Sequence, residues 1–217
     1  MQVSVDVVLL TLVEQQLHAV LLRRQAAPFA GVWALPGGFI HTDEDADAKA
    51  SAARVLRTKV GIEGAYLEQL ATFSGPARDP RGWSVAIAYC ALLPVQNLPP
   101  DRFDISVVPL SALPQLPFDH RAILDAALER VRSKSLYSSL PVHLCGETFT
   151  LPQLQQVYEN ILGEPLNKVS FRRKMDEMDW LEPVPGAMQG GGAHRPAQLY
   201  RAKPGFSQAL ALTARGL

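Results

Sequence analysis

An α+β chain in two parts is what the sequence predicts, and three observations predict it. Runs rich in leucine and β-branched residues surround a single charged helical stretch through the first half. Residues 133–147 then change character, with Ser133, Ser135, Ser138, Ser139, Pro141 and Gly146 reading as a connector. Beyond it come two capped amphipathic helices, a four-residue turn between them, and two short strands around a glycine-rich tip. The 217 residues suit one large or two small domains, and at 47% hydrophobic they can build a substantial core. With 21 basic against 21 acidic residues, no global field drives nucleic-acid or membrane binding, so any such contact must come from a local patch. No apolar run is long enough to span a bilayer, and residues 1–6 lack the basic start of a signal peptide. Cys90 and Cys145 show no metal spacing and read as buried free thiols of a reducing cytosol, so the chain is expected to be cytoplasmic.

In the first half, residues 3–12 and 17–23 read as a hairpin turned at Glu14-Gln15-Gln16. Residues 43–60 read as one helix. Its acids Asp43, Glu44, Asp45 and Asp47 sit at the start and its bases Arg54, Arg57 and Lys59 at the end, complementing the macrodipole. Gly61 stops it. Residues 66–73 and 83–93 read as strands around a loop at 74–82, with a shorter strand over 103–108. A second helix is expected over 119–132, with Asp119 as its N-cap and Phe118 stapled onto Ile123. Ile123, Leu124, Ala127, Leu128 and Val131 form its apolar stripe, which serves either the domain core or a second subunit.

The most informative stretch is Leu35-Pro36-Gly37-Gly38-Phe39-Ile40-His41-Thr42-Asp43-Glu44, continued through a helix to Val60-Gly61-Ile62. It resembles the Nudix box, G-x5-E-x7-R-E-U-x-E-E-x-G-U with U apolar. The resemblance implies an α/β/α sandwich that binds a nucleoside diphosphate and, in the hydrolases, Mg²⁺. Two departures stand out. The stretch to the closing glycine is two residues longer than the pattern. Anchored on Gly61-Ile62, Arg54 and Leu56 survive while Val55, Thr58 and Lys59 replace the three glutamates. Glutamates at that spacing share one helix face and give a hard cation its carboxylate oxygens; an apolar group, a hydroxyl and an ammonium do not. Metal-dependent hydrolysis is therefore not expected, and Lys59 is expected to stand as a fixed counter-charge to a bound diphosphate. The candidate ligand-binding residues are Trp33, Gly37, Gly38, Phe39, Arg54, Lys59 and Arg78. The glycines let backbone approach a diphosphate. Trp33, Phe29 or Phe39 would stack an adenine, with core packing the competing role for Phe39. Arg54 either orients the box or touches ligand. Arg78 is similar to ligand-binding arginines of ADP-ribose pyrophosphatases and equally suits an ion pair with Asp79. Arg57 reads as solvated. No catalytic residue, metal ligand or required cofactor is expected.

In the second half, Thr150 caps a helix over 151–162 with Leu151, Leu154, Val157, Tyr158 and Ile161 as its stripe and Gly163 as its end. Asn167 caps another over 168–178, with Phe171, Met175 and Met178 on its inner side. Strands over 180–184 and 197–201 follow. Helix, short turn, helix and hairpin together make a winged helix-turn-helix. On its second helix, Lys168, Ser170, Arg172, Arg173 and Lys174 are the set a major groove wants, cations for phosphate and arginine for guanine. His194 and Arg195 at the glycine-rich tip complete the candidate DNA-binding residues; the competing reading is a solvated basic face.

A Nudix domain with eroded glutamates joined to a winged helix resembles the Nudix-related transcriptional regulators of bacterial NAD metabolism, the NrtR family. Phe149-Thr150-Leu151, Phe171-Arg172-Arg173-Lys174, Arg195-Pro196-Ala197 and Leu116-Pro117-Phe118-Asp119-His120 carry the likeness. It implies a homodimeric repressor of NAD biosynthesis or salvage genes on a palindromic double-stranded operator, released by ADP-ribose or a related nucleotide effector. The expected organisation is a Nudix-like effector domain over 1–135, a linker over 136–148, the winged helix over 149–203 and a tail over 204–217. Two alternatives stand beside it: an active ADP-ribose or sugar-nucleotide pyrophosphatase using acids near Glu44, and a repressor of a pentose pathway with another effector.

Overall fold

β1 (Gln2–Val13) and β2 (Gln16–Arg23) form the expected hairpin, paired from Leu10 with Ala19 to Val13 with Gln16. The turn places Glu14 and Gln15 both at positive φ, 47° and 65°, the twist that a two-residue hairpin loop demands. In this computed structural model the described residues are 2–100, 102–190, 196–206 and 210–213. They fall into two compact units, Met1–Arg130 and Val131–Leu217.

β1 organises the first unit. Along one edge it runs parallel to β6 (Ser84–Leu92), from Gln2 beside Ser84 to Leu10 beside Leu92. β5 (Tyr66–Gly75) then pairs antiparallel with β6. On its other edge β1 takes β2 at one end and β4 (Gly37–Phe39) at the other, with Val5 opposite Gly38 and Asp6 opposite Gly37. β3 (Trp33–Ala34) and β7 (Ile105–Pro109) both pair with β2. β3 and β4, two and three residues long, were not expected from the sequence, because pieces that short carry no measurable alternation.

Both faces of β1 are covered, as a strand at the centre of a sandwich requires. Val5, Val7 and Leu9 pack into a cluster with Ala52, Val55, Leu56 and Val60 of the helical segment; Val8 and Leu10, of the opposite parity, are buried as well. α2 (His120–Ser135) buries Ile123, Leu124 and Ala127 completely, so that stripe is core within the chain. Arg130 fastens it to β5 by donating to Glu68 Oε1 and the Leu70 carbonyl, each at 3.1 Å.

The helix expected over 43–60 is divided. α1 spans only Ala48–Val55, and a π-turn, Leu56–Val60, follows it before Gly61 at φ 84°. The start is late because the acids ahead of it are otherwise engaged. Asp45 accepts from the His41 amide and from Arg54, and Asp47 caps the helix by accepting from the Ala50 amide at 2.7 Å. The two residues in excess of the box spacing lie between Glu44 and Arg54, the stretch that holds the late start of α1.

In the second unit, α3 (Leu151–Leu162) and α4 (Lys168–Met178) have the expected bounds. Thr150 and Gln153 form a reciprocal capping box, and Asn167 accepts from the Val169 and Ser170 amides. β9 (Leu181–Gln189), β10 (Ala197–Ala202) and a short strand, β8 (Phe149–Thr150), make a three-stranded sheet in the order β8-β10-β9. Leu154, Tyr158, Phe171, Met175, Phe149 and Trp180 form the core.

Residues 136–148, expected as linker, belong to this unit. A 3-10 turn at Leu140–Leu144 buries Leu140, Val142 and Leu144, a short apolar run that the surrounding serines hide in any averaged reading. The tail has a place too. The Ser139 amide donates to the Ala211 carbonyl at 2.9 Å, the Ala211 amide donates back to Ser139 Oγ at 3.0 Å, and Ala211 is buried.

Candidate effector cleft and nucleic-acid interface

β4 delivers Gly37-Gly38-Phe39 to the floor of an open cleft of about 610 Å³ in the first unit. The glycines are required by what lies beneath. A Cβ at Gly37 would stand 2.2 Å from Asp6 Oδ1 and 2.9 Å from the Val5 carbonyl; one at Gly38 would stand 3.3 Å from Val55 Cγ2 and 3.4 Å from Lys59 Nζ. The strand can pair with β1 and lie against Val55 and Lys59 this closely only with bare backbone.

Beneath Gly37 is a buried polar cluster that sequence reading did not assemble. Arg78 donates to Asp6 Oδ2 (3.3 Å), to Asp119 Oδ2 and Oδ1 (3.0 and 2.9 Å) and to Ser84 Oγ (3.1 Å). Asp119, expected to cap α2, thus holds Arg78. His120 Nδ1 accepts from the Leu35 amide at 3.1 Å, and its Nε2 lies 3.7 Å from Asp6 Oδ1. Burial raises the Asp6 carboxyl to about 6, against the lowering pull of Arg78. Burial also depresses the His120 imidazole to about 3, so the ring is neutral at physiological pH. Five residues from three distant stretches of the sequence meet here, and only the tertiary packing brings them together.

Of the seven candidate ligand residues, Gly37, Gly38, Phe39, Arg54, Lys59 and Arg78 line the cleft. Trp33 does not: it is half-buried in β3 opposite Arg23. Arg54 and Arg78 are both committed to internal carboxylates. Arg54 grips Asp45 with two 2.7 Å hydrogen bonds, donates to the Phe39 carbonyl at 3.0 Å, and so ties α1 to β4. These bonds hold the Asp45 carboxyl well below the usual carboxylate range. Phe39 is 43% exposed, a cleft wall rather than core, with the Arg81 guanidinium 5.2 Å from its ring centre. Arg81, and not Arg78, is the partner of Asp79, at 2.6 Å. Arg57, read as solvated, borders the cleft.

Arg24 was missed altogether, since a lone arginine ending a strand carries no signal. Its Nε donates to the Pro28 carbonyl at 2.8 Å and its guanidinium lies 4.9 Å from the Phe118 ring centre. Phe118, at φ 55°, packs its ring edge-on against Phe29. Arg24, Arg57 and Lys59 have no carboxylate within ion-pair distance among the described residues. Lys59 donates through Nζ to the Gly37 carbonyl. Its pKa is lowered, first by burial and then by the neighbouring Arg24 and Arg54 charges. A set of unpaired cations, with Arg24 and Lys59 partly desolvated and Arg57 exposed, is an anion site in the physical sense.

The Mg²⁺ that the Nudix resemblance implies does not fit these residues. Val55 is fully buried in the core, Thr58 Oγ1 donates to the Arg54 carbonyl at 2.8 Å, and Lys59 brings a positive charge. Among the described residues no group of three or more His, Cys, Asp or Glu side chains could hold a metal ion.

In the second unit, α4 is sharply two-sided. Phe171 and Met175 are 2% exposed, whereas Lys168, Ser170, Arg172 and Arg173 are exposed and Lys174 is half-buried. Val169, 77% exposed, sits among the cations on the first turn. Arg173 lies 3.6 Å from Glu177, an exposed pair of little energetic weight. His194 and Arg195 lie outside the described residues.

Family comparison agrees with this division. Residues 1–129 match the Nudix domain, and residues 141–202 match the NrtR DNA-binding winged helix domain. An ADPR responsive transcriptional repressor NtrR of Acinetobacter baylyi is 39% identical over 203 residues, covering 91% of this chain and 80% of that protein. Shewanella oneidensis NrtR, crystallised with a 27mer DNA, superposes with a TM-score of 0.91 at 38% identity over 99% of both chains. The Nudix domain of the same Shewanella protein, crystallised with ADP ribose, matches 60% of this chain and 88% of that one, with a TM-score of 0.55 and 38% identity.

Proposed function

The chain belongs to the NrtR family, and from that membership we propose that it is a transcriptional repressor that binds operator DNA through α4 and is released by ADP-ribose in the cleft. The observation that carries the DNA-binding half is the polarity of α4. Its apolar side chains are spent on the core, and its first two turns present Lys168, Ser170, Arg172 and Arg173 outward. That suits a recognition helix whose N-terminal turns enter a major groove. The effector half is supported by the unpaired cations Arg24, Arg57 and Lys59 around the Gly37-Gly38 backbone. The exposed ring of Phe39 offers a base a stacking surface.

The domain acts as a sensor and not as a hydrolase. Hydrolysis of a diphosphate needs a metal-activated water, and the three positions that would hold the metal are occupied by a core valine, a helix-bonded threonine and a lysine. A homodimer on a palindromic operator suits a protein with one reading helix per chain. The regulated genes are those of NAD biosynthesis or salvage, whose product pool ADP-ribose reports.

Binding to fluorescently labelled DNA from upstream of the NAD-biosynthesis genes tests the whole reading. Anisotropy should rise at low salt and fall as ADP-ribose is added. Operator and effector should weaken each other by the same factor, as linkage requires. DNA binding that ignores ADP-ribose, or Mg²⁺-dependent release of AMP from it, would refute the proposal.

A further inference from the structure

We infer that Lys59 replaces the divalent cation in the cleft, so that the protein takes its diphosphate ligand in the metal-free form and Mg²⁺ opposes binding instead of assisting it. This rests on the reading of the cleft as the effector site.

The geometry supports it in three ways. Lys59 lies within the Leu56–Val60 π-turn, and its ammonium donates to the Gly37 carbonyl, which anchors it against the β4 backbone. An ammonium has three N–H donors, so two remain for phosphate oxygens. The backbone beside it is Gly38, where a Cβ would stand 3.4 Å from Nζ, so no side chain at that position stands between the ammonium and a ligand lying on β4. Lys59 also has company of its own sign. Arg24 and Arg57 border the same cleft without a carboxylate at ion-pair distance among the described residues, whereas Arg54, Arg78 and Arg81 are each matched by one. Three unmatched cations suit a dianionic diphosphate. A diphosphate already neutralised by Mg²⁺ would leave those cations facing a neutral ligand and bring a second cation close to Nζ. In a metal-dependent site the sign of the effect is reversed, because there the ion bridges carboxylates and phosphate.

Calorimetric titration of the full-length protein with ADP-ribose, in EDTA and in several millimolar MgCl₂ at equal ionic strength, gives the test. Binding should be fully developed in EDTA, with a higher Kd in Mg²⁺. Lys59→Met should raise Kd at least tenfold, while Lys59→Arg, which keeps the charge, should raise it less. Unaltered melting of the Met variant in the absence of ligand would show that it folds. Equal or tighter binding in Mg²⁺, loss of binding in EDTA, or a Met variant that binds as the wild type does would overturn the inference while leaving ADP-ribose as the effector. Heat in neither buffer would overturn the effector reading and this inference together.

Discussion

His120→Gln probes the buried cluster beneath Gly37, and its effect on acid stability follows from two opposed titrations. His120 is depressed from 6.5 to about 3 by burial. Above pH 6.5 the ring is neutral in both states and contributes nothing. Below it the unfolded chain takes up a proton that the folded chain refuses, so stability is lost as pH falls towards 3. At pH 4.5 that loss is about 2.7 kcal/mol, two pH units at 1.36 kcal/mol each. Asp6 works the other way. Its folded pKa of about 6 lies above the ordinary carboxyl value of 3.8, so the folded chain takes up the proton first and regains stability as pH falls from 6 towards 3.8. At pH 4.5 this returns about 2 kcal/mol. The two nearly cancel in the wild type. The variant loses the His120 contribution and keeps that of Asp6, so its stability relative to the wild type should improve by about 2.7 kcal/mol between pH 7.5 and pH 4.5. Its absolute stability at pH 7.5 should be lower, because the Leu35 amide loses its imidazole acceptor. Urea unfolding at the two pH values, followed by tryptophan fluorescence, separates the two effects, since the lost hydrogen bond is independent of pH. Parallel pH dependence of variant and wild type, within about 1 kcal/mol, would show that His120 is not held neutral by burial and would sink the argument.

Other substitutions test the remaining elements. Gly37→Ala should cost about 1–3 kcal/mol, because its Cβ meets the Asp6 carboxylate that Arg78 holds in place. Gly190→Ala, with nothing within 4 Å of its Cβ, serves as the silent control in the same thermal unfolding series. Thr150→Ala removes the acceptor of the Gln153 amide and half of the capping box, for a loss of about 1 kcal/mol in the second unit, measurable by denaturant titration. Arg172→Ala should weaken operator binding and lower the slope of log affinity against log salt by about one if the guanidinium meets a phosphate; an unchanged slope with altered base preference would place it on a base edge instead.

Local chemistry explains why so much of the second unit is legible in the sequence. Thr150 with Gln153, Gly163, Asn167 and the stripe through Leu154, Tyr158, Phe171 and Met175 all act within one or two helical turns, and the helix bounds follow from them. The box in the first half was equally readable: Gly37-Gly38, the carboxylates lost at Val55, Thr58 and Lys59, and Gly61 as a stop are matters of residue type and spacing. From these alone come the family, the two-part architecture and the expectation of an anion held without metal carboxylates.

What the chain's order along its length does not contain is which distant groups neutralise one another. Arg54 and Arg78 read in the sequence either as ligand arginines or as ion-pair partners, and strand pairing and the turn before α1 supply Asp45, Asp6 and Asp119 as their carboxylates. Arg24 carries no signal and Arg57 reads as solvated, as its exposure bears out; only the fold shows that both border the cleft without such partners. Asp6 and His120 are 114 positions apart, yet they meet at 3.7 Å and burial shifts both. Helix caps and stripes are decided by neighbours within a turn, so residue order is enough for them. Charge balance is a through-space quantity, and here only the packing of β1, β4 and α2 decided which cations were left for a ligand.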